Sequence, residues 1–290
     1  MKFKGIIFIL QLAGALMLCL PYAVANDNVT EQLKSEYLNK VLTLRHFYMG
    51  EHLSFQPDGS LIGSAEVGPW TAFGQILVKD IEMHGHVLHL QGRRVCLVFD
   101  SKGKPYRDVL ELIDESARDK KEREALEKHY LENSVEIEIA LYSDLPDLSE
   151  ITPSMDAVFI RPDERLTDIM PDYWRDYFSR LEGVPNTSPK TTETVYKVRE
   201  GEVSAPQIIY QPEPEFSEEA RMSKFQGKVT LSVVVDASGS TTGIQIASPL
   251  GLGLDEKAVQ AIRGWKFMPA MKDARPVPVT IMVEVEFHLY

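Results

Sequence analysis

Period-two alternation dominates the last part of the chain. Lys228–Asp236 sets Val229, Leu231, Val233 and Val235 on one face, which predicts a half-buried strand. Asp236-Ala237-Ser238-Gly239 reads as a turn ending on a residue tolerant of left-handed backbone. Ile244-Gln245-Ile246-Ala247 predicts the returning strand of a hairpin. From Leu254 the period becomes helical: Leu254, Ala258, Ala261, Ile262 and Trp265 share an apolar face, while Lys257, Gln260 and Arg263 point outward. Asp255 and Glu256 occupy the first turn, where carboxylates suit the helix dipole, and Gly264 weakens the helix near its end. Alternation resumes over Val279–Phe287, with Val279, Ile281, Val283, Val285 and Phe287 inward and Thr280, Met282, Glu284 and Glu286 outward. The order is β-β-α-β. It predicts a three-stranded antiparallel sheet under one helix, whose crossover lets the last strand pair antiparallel with the first. Trp265 is expected between helix and sheet, with Phe267 beside it.

The earlier part has shorter periods. Val41–Leu44, Gln75–Ile81, Val87–Leu90 and Val95–Phe99 predict a meander of short strands, punctuated by Pro57-Asp58-Gly59, Gly68-Pro69, Gly85 and Gly92. Such spacing fits a small antiparallel sheet or barrel. Asp114–Glu132 is rich in charge and predicts a solvated helix or a mobile insertion, whereas Val135–Leu141 alternates as a strand. Leu166–Leu181 carries Leu166, Ile169, Met170, Tyr173, Trp174, Tyr177 and Phe178 at helical spacing, with Pro171 in a first turn or a kink. That aromatic face is expected to pack on the first domain's sheet. The fold class is therefore α+β, with a mostly antiparallel β domain with helices at 30–183, a linker at 184–205 and the β-β-α-β domain at 206–290. The linker, Val184-Pro185-Asn186-Thr187-Ser188-Pro189 onward, has no apolar period. Fully extended it spans at most about 70 Å at ~3.1 Å per residue.

Residues 1–25 read as a targeting segment. Lys2 and Lys4 precede the apolar run Gly5–Leu20, and Ala23-Val24-Ala25 offers a small-residue cleavage site. Sixteen helical residues reach about 24 Å, short of the roughly 30 Å bilayer core, so a cleaved signal is favoured over an anchor. The mature chain is expected to begin near Asn26, in the periplasm or cell envelope. Cys19 then leaves with the signal and Cys96 stands alone in Val95–Phe99, where it reads as a buried structural thiol. The net charge of −12 argues against nucleic acid. Residues 206–290 hold 8 Lys/Arg against 10 Asp/Glu, a net of −2, so the acidity belongs to the earlier residues.

Chemistry-bearing clusters are sparse. His84, His86 and His89 are the best metal candidates, but Gly85 between the first two reads as a turn, and no metal or other cofactor is expected. Asp144 with Asp147 reads as solvated loop charge. Gly251-x-Gly253 lacks the Lys-Ser/Thr of a phosphate loop and reads as the entry turn of the helix. Neither a Gly-x-Ser-x-Gly elbow nor a His-Glu-x-x-His pair occurs, so no enzymatic role is expected.

Six motifs in register give Pro206–Tyr290 a resemblance to a known family. They are Tyr210-Gln211-Pro212-Glu213-Pro214-Glu215-Phe216, Gln226-Gly227-Lys228-Val229, Asp236 with Gly239, Leu254-Asp255 with Ala258, Trp265-Lys266-Phe267-x-Pro269-Ala270, and Pro276-Val277-Pro278-Val279. In that order they resemble the TonB C-terminal domain family; the earlier domain is left unassigned. The resemblance implies a periplasmic module that binds the Ton-box segment of outer-membrane receptors and passes on force from an inner-membrane proton-motive motor. Binding of this kind would add an extended peptide to the last strand's edge. The residues placed at that interface are Gln211, Pro212, Phe216, Thr280, Met282, Glu284 and Glu286, the two glutamates guarding against promiscuous pairing. Family transducers keep their N-terminal anchor and carry a long Pro-rich spacer; here the N-terminus reads as cleavable and the linker is short. The alternative is a secreted envelope scaffold that uses the edge for self-association or another partner, without a motor.

Overall fold

The structure is a computed structural model that describes residues 20–100, 107–108, 120–185, 194–199 and 202–289. Most of the expected targeting segment lies outside these residues; positions 20–25 open helix α1 (Leu20–Tyr37). Residues 114–119 of the charge-rich segment also lie outside them. Among the described residues no helix is long and apolar enough to cross a membrane.

The first half is built on eight strands: β1 (Val41–Thr43), β2 (His52–Phe55), β3 (Leu61–Ile62), β4 (Gln75–His84), β5 (Val87–Arg94), β6 (Leu97–Val98), β7 (Arg107–Asp108) and β8 (Ser134–Ala140). Six of them form a sheet in the order β1-β4-β5-β8-β2-β3, antiparallel except for β2 beside β8. The helices are α1, α2 (Trp70–Phe73), α3 (Lys120–Glu132), α4 (Leu148–Val158), α5 (Leu166–Ile169) and α6 (Arg175–Glu182). One sheet face buries Leu53, Phe55, Ile76, Val78, Ile81, Leu88, Leu90, Val135, Ile137 and Ile139 against Leu33 of α1 and Ile151, Met155 and Val158 of α4. Helix α4 starts where the Asp147 side chain accepts from the amides of Ser149 and Glu150 at 2.9 and 3.2 Å, satisfying donors that a helix start leaves bare.

Pro171 does more than kink its helix. It has no N–H to donate and cannot continue the ladder. The expected helix is split into α5, a 3₁₀ turn over Asp172–Trp174, and α6. The split turns the aromatic face away from the first sheet. Trp174, Tyr177 and Phe178 instead share a core with Trp70, Phe99 and the second half. The Trp70 and Trp174 rings meet edge-on at 5.1 Å, and Phe99 meets Tyr177 edge-on at 5.6 Å. One apolar core thus continues from residues 95–99 and 170–178 into the C-terminal sheet.

The second half contains β9 (Tyr196–Lys197), β10 (Gln207–Tyr210), α7 (Glu218–Met222), β11 (Gly227–Val235), β12 (Thr241–Ser248), α8 (Leu254–Arg263), β13 (Lys266–Met268), β14 (Ala270–Lys272), β15 (Arg275–Val277) and β16 (Val279–Phe287). Strand order is β12-β11-β16-β9. Strand β16 pairs antiparallel with β11 from Val279↔Val235 to Phe287↔Gly227. The alternation survives in burial: Val229, Leu231, Val233 and Val235 are fully buried under α8, with Ala258 and Ile262 above them. Trp265 is 4 % exposed, its ring 6.0 Å from Phe267, and its indole N–H donates to the Pro212 carbonyl at 3.3 Å. The chain therefore leaves α8 pinned to the sheet on one side and to the entry segment on the other.

Candidate functional site

A sheet of three long strands has two edges, and the two are treated differently. At the β12 edge, Arg180 of α6 donates to the Ala247 carbonyl at 2.9 Å. Gln245 accepts from the Asp176 amide at 3.0 Å and donates to the Asp172 carbonyl at 2.9 Å. Residues from the first half therefore satisfy polar groups that β12 would otherwise offer to a stranger.

The β16 edge is mostly open. Only β9 pairs there, parallel, with Tyr196 opposite Val279 and Lys197 opposite Thr280. The Tyr196 amide donates to the Pro278 carbonyl at 2.9 Å, and Lys272 Nζ sits 4.5 Å above the Tyr196 ring. Along a strand, backbone groups of alternate residues point to the same side. Since Pro278 faces β9, so do Thr280, Met282, Glu284 and Glu286. Beyond Thr280 no strand among the described residues pairs with them.

Their side chains lie on the solvent face. Met282 is 60 % exposed, Glu284 accepts from Lys228 Nζ at 2.8 Å, and Glu286 lies 3.6 Å from His288. Burial is slight here, so these pairs are worth little in stability. They do keep charge along the edge. Phe216 lies at the far end on the opposite face, packed edge-on at 5.4 Å against the buried Phe287 ring. Pro212 is tied to the end of α8 through Trp265, and Gln211 beside it is exposed. The structure thus brings four of the seven expected residues onto one edge with Phe216 at its end, and holds Gln211 and Pro212 by the last turn of α8.

The sequence reading missed the seam between the halves. Gly251 has φ +104°, and a Cβ there would stand 2.3 Å from the Leu97 carbonyl oxygen. The close approach lets Leu252 N–H donate to Leu97 O at 2.9 Å and Phe99 N–H donate to Leu250 O at 3.1 Å. Asp255 is fully buried and accepts from the amides of Leu250 and Gly251, each at 2.8 Å. Glu256 reaches across the seam and accepts from the Trp70 amide and the Trp174 indole, both at 3.2 Å. Burial raises the pKa of Asp255, and burial followed by the neighbouring Asp255 raises that of Glu256. The first-turn carboxylates therefore act as fasteners as well as dipole partners.

The rival clusters are accounted for by pairing. His84 lies 3.2 Å from Glu82, His86 3.5 Å from Asp144 and His89 3.5 Å from Glu138, all at the surface. Among the described residues no group of three such side chains is placed to hold a metal ion. A groove of about 750 Å³ in the first half is lined by Tyr37, Val41, Phe159 and Ile160. Its Glu164 carboxylate is engaged by Arg45 at 2.5 Å and by the Arg161 amide at 2.8 Å. Cys96 is buried, and burial pushes its thiol up to about 12, far from reactive range.

Residues 212–289 match the family model of the Gram-negative bacterial TonB protein C-terminal domain. The Pseudomonas aeruginosa protein tonB2 is 34% identical over 82 residues, which are 28% of this chain and 30% of that protein. Protein TonB of Vibrio cholerae serotype O1 is 32% identical over 83 residues, 28% of this chain and 34% of the relative. The chain thus spans about a third of the length of these relatives. The solution NMR structure of the Pseudomonas aeruginosa TonB C-terminal domain aligns at 15% identity and a TM-score of 0.25, over 34% of this chain and 99% of that one. Proteins of this family are non-enzymatic transducers or scaffolds. Residues 212–289, the β-β-α-β part of the chain, are accordingly a TonB C-terminal domain by family match, and the part that precedes them is of unassigned family.

Proposed function

We propose that this chain is a cell-envelope binding protein whose β16 edge takes up the Ton-box segment of an outer-membrane receptor as an added strand. The observation that carries the reading is the row of backbone groups from Met282 to Glu286 that no described strand pairs with, within a segment that matches the TonB family. Main-chain pairing supplies affinity, while Met282, Glu284 and Glu286 set which side chains fit, and Phe216 braces the end of the strand from its buried face. The same geometry would suit a part in transport. A strand pulled along its own axis loads all its backbone bonds together, and the fastened seam passes that load from β16 into the first half. Force from an inner-membrane motor would reach the chain only if residues 1–25 are retained as an anchor, so a membrane-retained chain with an intact N-terminus supports transduction and a soluble chain starting near Asn26 supports binding alone.

Titration of the full chain with synthetic Ton-box peptides tests the reading, with Met282→Pro as the control. The Met282 amide faces the open edge, so proline removes a donor from the site while leaving the β11 ladder in place. Peptide binding that weakens at least tenfold in this variant, with the circular dichroism unchanged, supports strand addition. No binding by a folded wild-type chain sinks the receptor claim.

A second reading has its own observation. Strand β10 pairs only with β13 among the described residues, and Ile208, Ile209 and Tyr210 are 52%, 66% and 59% exposed. Three large exposed apolar residues on a strand with one paired side favour self-association, the use an envelope scaffold would make of them. Sedimentation of wild type against Ile209→Lys separates the two. A dimer that the lysine disperses supports the scaffold, and a monomer at all concentrations excludes it.

A further inference from the structure

We propose that β9 is a removable stop on the β16 edge, so that the linker between the two halves sets how much of that edge a partner can use. This rests on strand addition as the edge's function and deepens it.

Strand β16 is nine residues long, and β9 covers two of those positions, leaving seven from Ile281 to Phe287. The pairing is parallel, so β9 occupies the same column an incoming strand would take. Among the described residues it is held by the two-residue ladder with the Tyr196 amide on the Pro278 carbonyl, by the Lys272 ammonium over the Tyr196 ring, and by the contact of that ring with the margin of the core. Tyr196 is only half-buried, and after Lys197 the chain leaves the sheet to form the Arg199–Val203 turn. A two-residue parallel pairing cannot stand without its surroundings, whereas a seven-residue strand gains a backbone bond at about every second residue. An added strand that needs no more than seven positions fits beside β9; a longer one must displace it.

The stop belongs to the linker, and the linker continues from Val184 at the end of the first half. Displacing β9 lengthens the edge by the Val279 and Thr280 positions. The chain beyond β9 stays anchored through buried Val203 and the Ser204–Met271 bonds, so β9 can leave the edge without freeing the second half.

Hydrogen exchange on the full chain without any peptide is the first test. The Thr280 amide faces β9 and should exchange at least about fivefold more slowly than the Met282 amide, the effect of one net hydrogen bond. In Tyr196→Pro, which lacks the amide that bonds Pro278, the two should converge, while Tyr196→Phe should behave as wild type. The second test titrates Ton-box peptides of seven and nine residues. Tyr196→Pro should bind the nine-residue peptide several-fold more tightly than wild type does and leave the seven-residue affinity unchanged. Equal exchange at Thr280 and Met282 in the wild type overturns the stop outright. Equal gains for both peptides, or none for either, overturn its role in length selection. Slow Thr280 exchange relieved by Tyr196→Pro, with no peptide bound by any variant, upholds the stop and refutes the receptor reading instead.

Discussion

Glu256 offers the sharpest test of how the two halves are joined. Its carboxylate accepts from the Trp70 amide and the Trp174 indole at 3.2 Å and lies 3.5 Å from Thr71 Oγ1, all in the other half. In Glu256→Ala those donors lose their acceptor. Each buried unsatisfied donor costs about 1–3 kcal/mol, so the loss should be roughly 2–5 kcal/mol. Glu256→Gln keeps an acceptor oxygen and should lose much less. The pH dependence separates the two causes. Burial, and then Asp255, raises the Glu256 pKa above its unfolded value of about 4.3. A raised pKa means the folded chain holds its proton more tightly than the unfolded one. The contribution is full below the unfolded pKa and is lost as pH rises through the folded value. Wild-type stability should therefore fall as pH rises from 5 to 9. Glu256→Gln should reduce that slope, while Asp255, whose pKa is raised in the same direction, keeps part of it. Urea midpoints read by tryptophan fluorescence suit the question, because Trp70 and Trp174 both lie in the seam. A Glu256→Gln slope equal to the wild type's, or wild-type stability that rises with pH over this range, would refute the reasoning.

Three further substitutions probe the frame around the site. Trp265→Ala should cost about 3–5 kcal/mol in urea unfolding; a change within about 0.5 kcal/mol would show that this face is not core. Gly251→Ala places a Cβ 2.3 Å from the Leu97 carbonyl oxygen at a φ of +104°. It should cost at least about 2 kcal/mol in strain and lost seam bonds, and limited proteolysis should begin cutting between the halves. Arg94 is 1% exposed and donates to the carbonyls of Phe73, Tyr48 and Gly50 at 2.7–3.0 Å. Arg94→Met should therefore lower the thermal midpoint by several degrees, and an unchanged midpoint would mean that water serves those carbonyls as well.

The second half was legible because its information is local. Period two in Val229–Val235 and Val279–Phe287, and period 3.6 in Leu254–Trp265, each name a buried face without reference to distant residues. The first half was less legible for the opposite reason. His52 pairs with Glu136 in a parallel register that links residues far apart in the chain, and the helical spacing of Leu148, Ile151, Met155 and Val158 in α4 is interrupted in sequence by Pro153, a residue that ordinarily ends a helix. Glu256 shows the limit most clearly: a first-turn carboxylate looks the same whether it faces water or the Trp70 amide. The same limit governs the candidate site. Alternation predicts which side chains of β16 face inward, and that holds for Val279, Val283, Val285 and Phe287, all buried.

Alternation says nothing about which lateral edge of the sheet stays free, because the neighbours come from outside the β-β-α-β pattern. Arg180, Asp172 and Asp176 of the first half occupy the β12 edge, and Tyr196 of the linker begins to occupy the β16 edge. Both neighbours lie in the part of the chain outside the family match. The sheet itself lies within the matched segment, whereas the choice of edge and the length left open are made by residues outside it. If that is so, removing the first half should not simply delete a passive spacer. It should uncover β12, give the sheet two reactive edges, and turn a protein with one directed binding edge into one prone to pair with itself. Sedimentation of residues 206–290 alone against the full chain measures the difference: a monomeric fragment would show that the first half is not what keeps β12 closed.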